Sequence, residues 1–80
     1  SHTHLIPARD YRRFDDAVNQ ASREVLDGSS MRMLHSLAGR HKPHADMPTG
    51  QAIIHWLSLN MPRTAGRILT RARTLYTTAA

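Results

Sequence analysis

Eighty residues, 40% of them hydrophobic and none of them cysteine, describe one small domain and exclude a disulfide framework or a thiolate metal site. The formal charge is +5 at pH 7, carried by 11 basic residues against 6 acids, and every basic residue except Lys42 is arginine. No apolar run approaches the roughly 20 residues that a membrane-spanning helix needs, and no signal-peptide pattern opens the chain. The expectation is a soluble cytoplasmic protein with no membrane partner.

The opening Ser1-His2, without an initiator Met, reads as an expression remnant. Residues 1–9 are then expected to be a tag remnant and flexible lead, with two readings open for the remainder: a whole small protein, or a domain cut from a longer one. A single helical domain is expected over 10–80. Its first helix is predicted from about Asp10 to Leu26, because Tyr11, Phe14, Ala17, Val18, Ala21 and Val25 recur at spacings of three and four. Asp27-Gly28 closes it with a residue that tolerates the left-handed conformation. Arg12 and Asp16, four apart on the outer face, are placed to pair.

Ser29 or Ser30 is expected to cap a second helix that runs to about Ala38, with Met31, Leu34, Leu37 and Ala38 inward. Gly39 is its stop, and Arg40–Asp46 is a polar loop broken by Pro43. A third helix is predicted from near Asp46–Thr49 to about Leu59. Ala52, Ile53, Trp56 and Leu57 turn to the core, and Gln51, His55 and Ser58 lie at the boundary. Asn60-Met61-Pro62 is a break: Asn60 can cap, and Pro62 suits the first turn of a helix, where its missing N–H costs nothing. The last helix runs to roughly Tyr76 before Thr77–Ala80 frays. The fold class is all-α, a compact bundle of about four helices with the last one longest.

Charge is divided unevenly along this chain. Acids and bases nearly balance through Asp46, but no acid follows it, and the charged residues from Met47 onward are Arg63, Arg67, Arg71 and Arg73. On a helical projection of about 100° per residue, Ala65, Ile68, Leu69, Ala72, Leu75, Tyr76 and Ala79 gather on one side. The arginines fall on the other with Thr70, Thr74, Thr77 and Thr78. Such a helix packs with one face and offers guanidinium and hydroxyl groups on the other to something negative. Arginine suits that task because its planar fork meets phosphate or carboxylate in two places.

The third and fourth helices, joined by Ser58-Leu59-Asn60-Met61, resemble a helix-turn-helix over residues 49–76. Thr49–Leu57 is the bracing helix in that resemblance and Pro62–Tyr76 the reading helix, with Met61-Pro62-Arg63-Thr64-Ala65-Gly66-Arg67-Ile68-Leu69 as its start. The resemblance implies DNA as the partner, with Arg63, Thr64 and Arg67 near base edges and Arg71 and Arg73 on phosphates. The turn departs from the motif in having no glycine. Gly66 also stands where the motif uses a bulky aliphatic residue, and it is open to a second reading as a point of close helix approach. RNA is a poorer match, since few aromatic rings are left to stack on bases.

Other classes find less support in the residues. The alternative partner is the acidic surface of another protein, met by the same Arg/Thr face with Arg40 and Lys42 of the central loop; the domain is then an inhibitor, adaptor or effector module. A homodimer is a third reading, with Trp56 and the Met residues completing a core between two copies. His35, His41, His44 and Asp46 lack the tight ligand spacing of a metal site, so no metal or cofactor is expected. Asp15-Asp16 are adjacent and point in different directions, and no Gly-rich phosphate loop or nucleophile setting is present. Catalysis is therefore not expected.

Overall fold

In the computed structural model, which describes residues 10–78, the apolar spacing of the first segment becomes α1, Tyr11–Val25. It buries Ala17, Val18, Ala21 and Ser22. The buried Ser22 hydroxyl is satisfied within the helix, donating to the Val18 carbonyl at 2.8 Å. Tyr11, expected inward, is 48% exposed; Phe14 instead meets α4, edge to face with Tyr76 at 5.7 Å between ring centres. Arg12 and Asp16 do not pair, and Arg13 bridges to Asp10 at 3.6 Å instead.

The turn after α1 differs from expectation. Val25 is the last helical residue, Leu26 is extended, and no glycine among the described residues has a positive φ. Gly28 opens α2, Gly28–His41. Its cap is Asp27 rather than Ser29 or Ser30: the Asp27 carboxylate accepts the Ser30 N–H at 2.7 Å. That bond, the largest influence on it, holds the Asp27 carboxyl below its ordinary value of 3.8.

α2 also runs three residues beyond Ala38, straight through Gly39. Its stop is Pro43. The proline ring disfavours helical geometry in the residue before it, and Lys42 is accordingly extended at φ −69, ψ 146. Arg40 and His41 are thus helical, and the loop to α3 spans 42–48.

α3, Thr49–Asn60, buries Ala52, Ile53 and Leu57 and leaves Trp56 half-buried against them. Pro48 precedes it and offers no side-chain cap. The cap comes from α1, where Asp15 accepts the Gln51 N–H at 2.9 Å. This close approach explains the buried Gly50: a Cβ there would lie 2.5 Å from the Asp15 carboxylate and 2.8 Å from its backbone oxygen. Asn19 steadies the other carboxylate oxygen at 3.3 Å.

Only Met61 separates α3 from α4, Pro62–Thr78. Pro62 opens α4 as expected. Asn60, by contrast, is the last residue of α3, and its side chain donates back to the Trp56 carbonyl at 2.9 Å rather than capping α4. α4 continues through Thr77 and Thr78 instead of fraying. At 17 residues it is the longest of the four helices. The lead at 1–9 and the last residues, 79–80, lie outside the described residues.

The helices pack as an all-α bundle. α1 lies along α4, α2 lies on α3, and α3 touches α1 and α4; α2 makes no contact with α4. Val18, Ala21, Ile53, Leu57, Ile68 and Ala72 are at most 1% exposed and form the centre where α1, α3 and α4 meet. Two sets of contacts near the ends of the described segment fasten α4 to α1. The Tyr76 hydroxyl donates to Asp10 at 3.2 Å. The Arg13 guanidinium lies 4.5 Å from the Tyr76 ring centre and donates to the Tyr76 carbonyl at 3.1 Å. No described helix is long and apolar enough to cross a membrane.

Candidate functional site

The inward row of α4 is Ala65, Ile68 and Ala72, all buried, and this sets what the helix shows outside. Residues 63, 67, 70 and 74 recur at spacings of four and three and form one stripe on the opposite side. Arg63, Arg67, Thr70, Arg71 and Thr74 line a broad, open groove of about 790 Å3, with Val25 of α1 and Gly66 completing it. Gly66 is exposed, and a Cβ there would meet nothing within 4 Å. It therefore marks no close helix approach. Its missing side chain hollows the outer surface of α4 between Arg63 and Arg67.

Electrostatically, the stripe is not uniform. Arg63 and Arg67 are exposed and have no carboxylate partner among the described residues. Arg71 is engaged: its Nε donates to the Glu24 carboxylate of α1 at 2.7 Å. Both side chains are substantially exposed, 45% and 39%, so the pair contributes only about 0–1 kcal/mol to stability. Its larger effect is on the surface, where the carboxylate offsets one of the arginine charges.

The threonines divide in the same way. Thr74 donates its hydroxyl to the Thr70 carbonyl at 3.3 Å, and Thr77 donates to the Arg73 carbonyl at 2.9 Å. Thr78 donates to the Thr74 carbonyl. These protons are spent on the helix's own backbone. The Thr70 hydroxyl makes no such bond among the described residues, which leaves it as the groove's free hydroxyl donor.

The remaining expected positions fall elsewhere. Thr64 is half-buried at the α3–α4 corner, where it lines a small hollow with Met61, Pro62 and Arg63. Arg73 is exposed but does not line the groove. Arg40 lies in the last turn of α2 and Lys42 just after it; neither lines the groove, and α2 makes no contact with α4. The corner is also tighter than expected, since Ser58, Leu59 and Asn60 remain in α3 and leave the single residue Met61 as the link. A helix-turn-helix turn usually has about three to four residues.

Val25, which lines the groove, and Glu24, which binds its Arg71, are the residues that sequence reasoning missed. They lie on the last turn of α1, and nothing local in the sequence ties them to α4. No group of three or more His, Cys, Asp or Glu side chains able to hold a metal comes together among the described residues. Comparison of the chain with protein-family models, curated proteins and solved structures found no match.

Proposed function

We propose that this domain binds DNA through the outer face of α4, with Arg63, Arg67 and Thr70 as its principal contacts. One observation carries the reading. Two exposed guanidinium groups with no carboxylate partner among the described residues, one helical turn apart, flank a hollow left by Gly66. Phosphates or base edges can approach the α4 backbone there without meeting a side chain. Arg63 and Arg67 present planar forks that suit phosphate or the guanine edge. Thr70 adds a neutral donor. Arg71 joins them once Glu24 is displaced, and Arg73 serves as an outlying phosphate contact.

The test is fluorescence anisotropy of a mixed-sequence duplex titrated with the domain over a salt series. Each phosphate contact steepens the log–log salt dependence by about 0.9. Reversing the charge of Arg63 and Arg67 together is expected to abolish binding while leaving the helical circular-dichroism signal intact. DNA affinity that survives this double reversal would end the reading.

A second reading has its own observation. Arg71 already holds a carboxylate, that of Glu24, at 2.7 Å, so this face accommodates a glutamate side chain. An acidic protein surface is therefore the alternative partner, and a single captured protein that survives nuclease treatment would favour it.

A further inference from the structure

The groove on α4 is bounded on one side by Val25, near the end of α1. The next residue, Leu26, belongs to a different concavity. There Leu26 and the buried Met31 form an apolar floor, and Arg23, Arg32 and His35 form the rim. Arg23 and Arg32 are exposed and make no salt bridge among the described residues. Arg32 donates to the Ser29 hydroxyl at 3.4 Å and, beside the larger effect of the Ser30 N–H, its charge helps to hold the Asp27 carboxyl ionised. Consecutive residues at the end of α1, Val25 and Leu26, thus line the two concavities. Cationic side chains of α4, α1 and α2 border these two neighbouring concavities, together the cationic strip.

Two carboxylates interrupt the strip, and both are occupied. Glu24 is bound to the Arg71 guanidinium. Asp27 is bound to the Ser30 N–H at the start of α2. Against them stand the guanidinium groups of Arg23, Arg32, Arg63, Arg67 and Arg71, so the strip keeps a positive balance along its length. Repeating negative charge at short intervals is the chemistry that matches such a strip, and a nucleic-acid duplex backbone supplies it.

We infer that Arg23 and Arg32 form a second phosphate-binding element, so that one DNA duplex engages α4 and the α1–α2 junction together. This rests on the DNA reading of the α4 groove and extends it. The α4 stripe meets the groove of the duplex or its nearer strand, and Arg23 and Arg32 hold backbone phosphates farther along. These two contacts set affinity and salt dependence, not sequence preference.

The measurement is the salt dependence of binding to a mixed-sequence duplex of about two helical turns, read by anisotropy for the full chain and for Arg23→Gln, Arg32→Gln and Arg12→Gln. Arg12 is the control: it is exposed on α1, lines neither concavity, and lies eleven positions from Arg23, about 16 Å along the helix. The expected result is that Arg23→Gln and Arg32→Gln each weaken binding and flatten the log–log slope by about 0.9, while Arg12→Gln leaves the slope unchanged. If wild type binds and all three variants share its slope, the second element is overturned and the α4 reading stands. If wild type binds no duplex at low salt, both fall. Binding of polyglutamate with none of duplex also overturns both, in favour of an acidic protein partner.

Discussion

Glu24 and Arg71 meet from positions 47 residues apart, and their contact makes Glu24 the natural competitor of any anion for the α4 groove. Glu24→Gln removes the competing charge and frees Arg71 for phosphate. DNA affinity is then expected to rise several-fold and the salt slope to steepen by about 0.9; unchanged binding in the anisotropy titration would show that Arg71 takes no part. Asp15 works in the opposite sense, for the fold alone. Asp15→Ala takes the cap from α3 and is expected to cost about 0.5–2 kcal/mol, read as a lower denaturant midpoint. Asp27 gives the acid response. Its carboxyl titrates below 3.8 in the folded domain, so its cap on α2 is fully present above that value and is lost as pH falls through the lower folded one. An NMR titration of the Asp27 carboxyl should therefore have its midpoint below 3.8, and Asp27→Asn should remove that contribution to the acid transition.

Within helices, the glycines separate by what surrounds them. Gly39 and Gly66 lie inside α2 and α4 with open space where a Cβ would sit. Alanine at either one is expected to stabilise the domain by roughly 0.5–1 kcal/mol. Gly50→Ala drives a methyl group into the Asp15 carboxylate and backbone and is expected to cost about 1–3 kcal/mol. In a domain of this size about 1 kcal/mol moves the melting temperature by roughly 4–8 °C, so thermal unfolding separates the two signs. These contrasts also explain which elements were legible in the sequence. α1 and α4 follow from apolar residues three and four apart, a local signal that packing reinforced. The end of α2 was misread because Gly39 permits a stop without requiring one, whereas Pro43 forces Lys42 out of the helix. α3 starts at Thr49, within the predicted range, but its cap is a carboxylate 36 residues away, and no local pattern carries that. The site divides similarly: the Arg63–Arg67–Thr70 stripe is written in helical spacing, but the neutralisation of Arg71 and the side wall of the groove come from α1.

At the scale of the whole molecule, the described residues extend 32 × 26 × 20 Å and their core is made chiefly by α1, α3 and α4, with α2 held on α3. The cationic surface thus rests mainly on elements that share the best-buried side chains. The bonds between Tyr76, Arg13 and Asp10 have a further meaning for chain connectivity. They bring the beginning of α1 beside the end of α4, so the path of the backbone is nearly a closed ring. A short flexible linker replacing the flanking residues could join Thr78 to Asp10, and the ring could be opened between Pro43 and His44, ahead of the bond from the Met47 N–H to the His44 carbonyl. That circular permutant is expected to keep the helical signal and cooperative melting of the parent. In it, α3 and α4 would precede α1 and α2, yet Glu24 would still face Arg71.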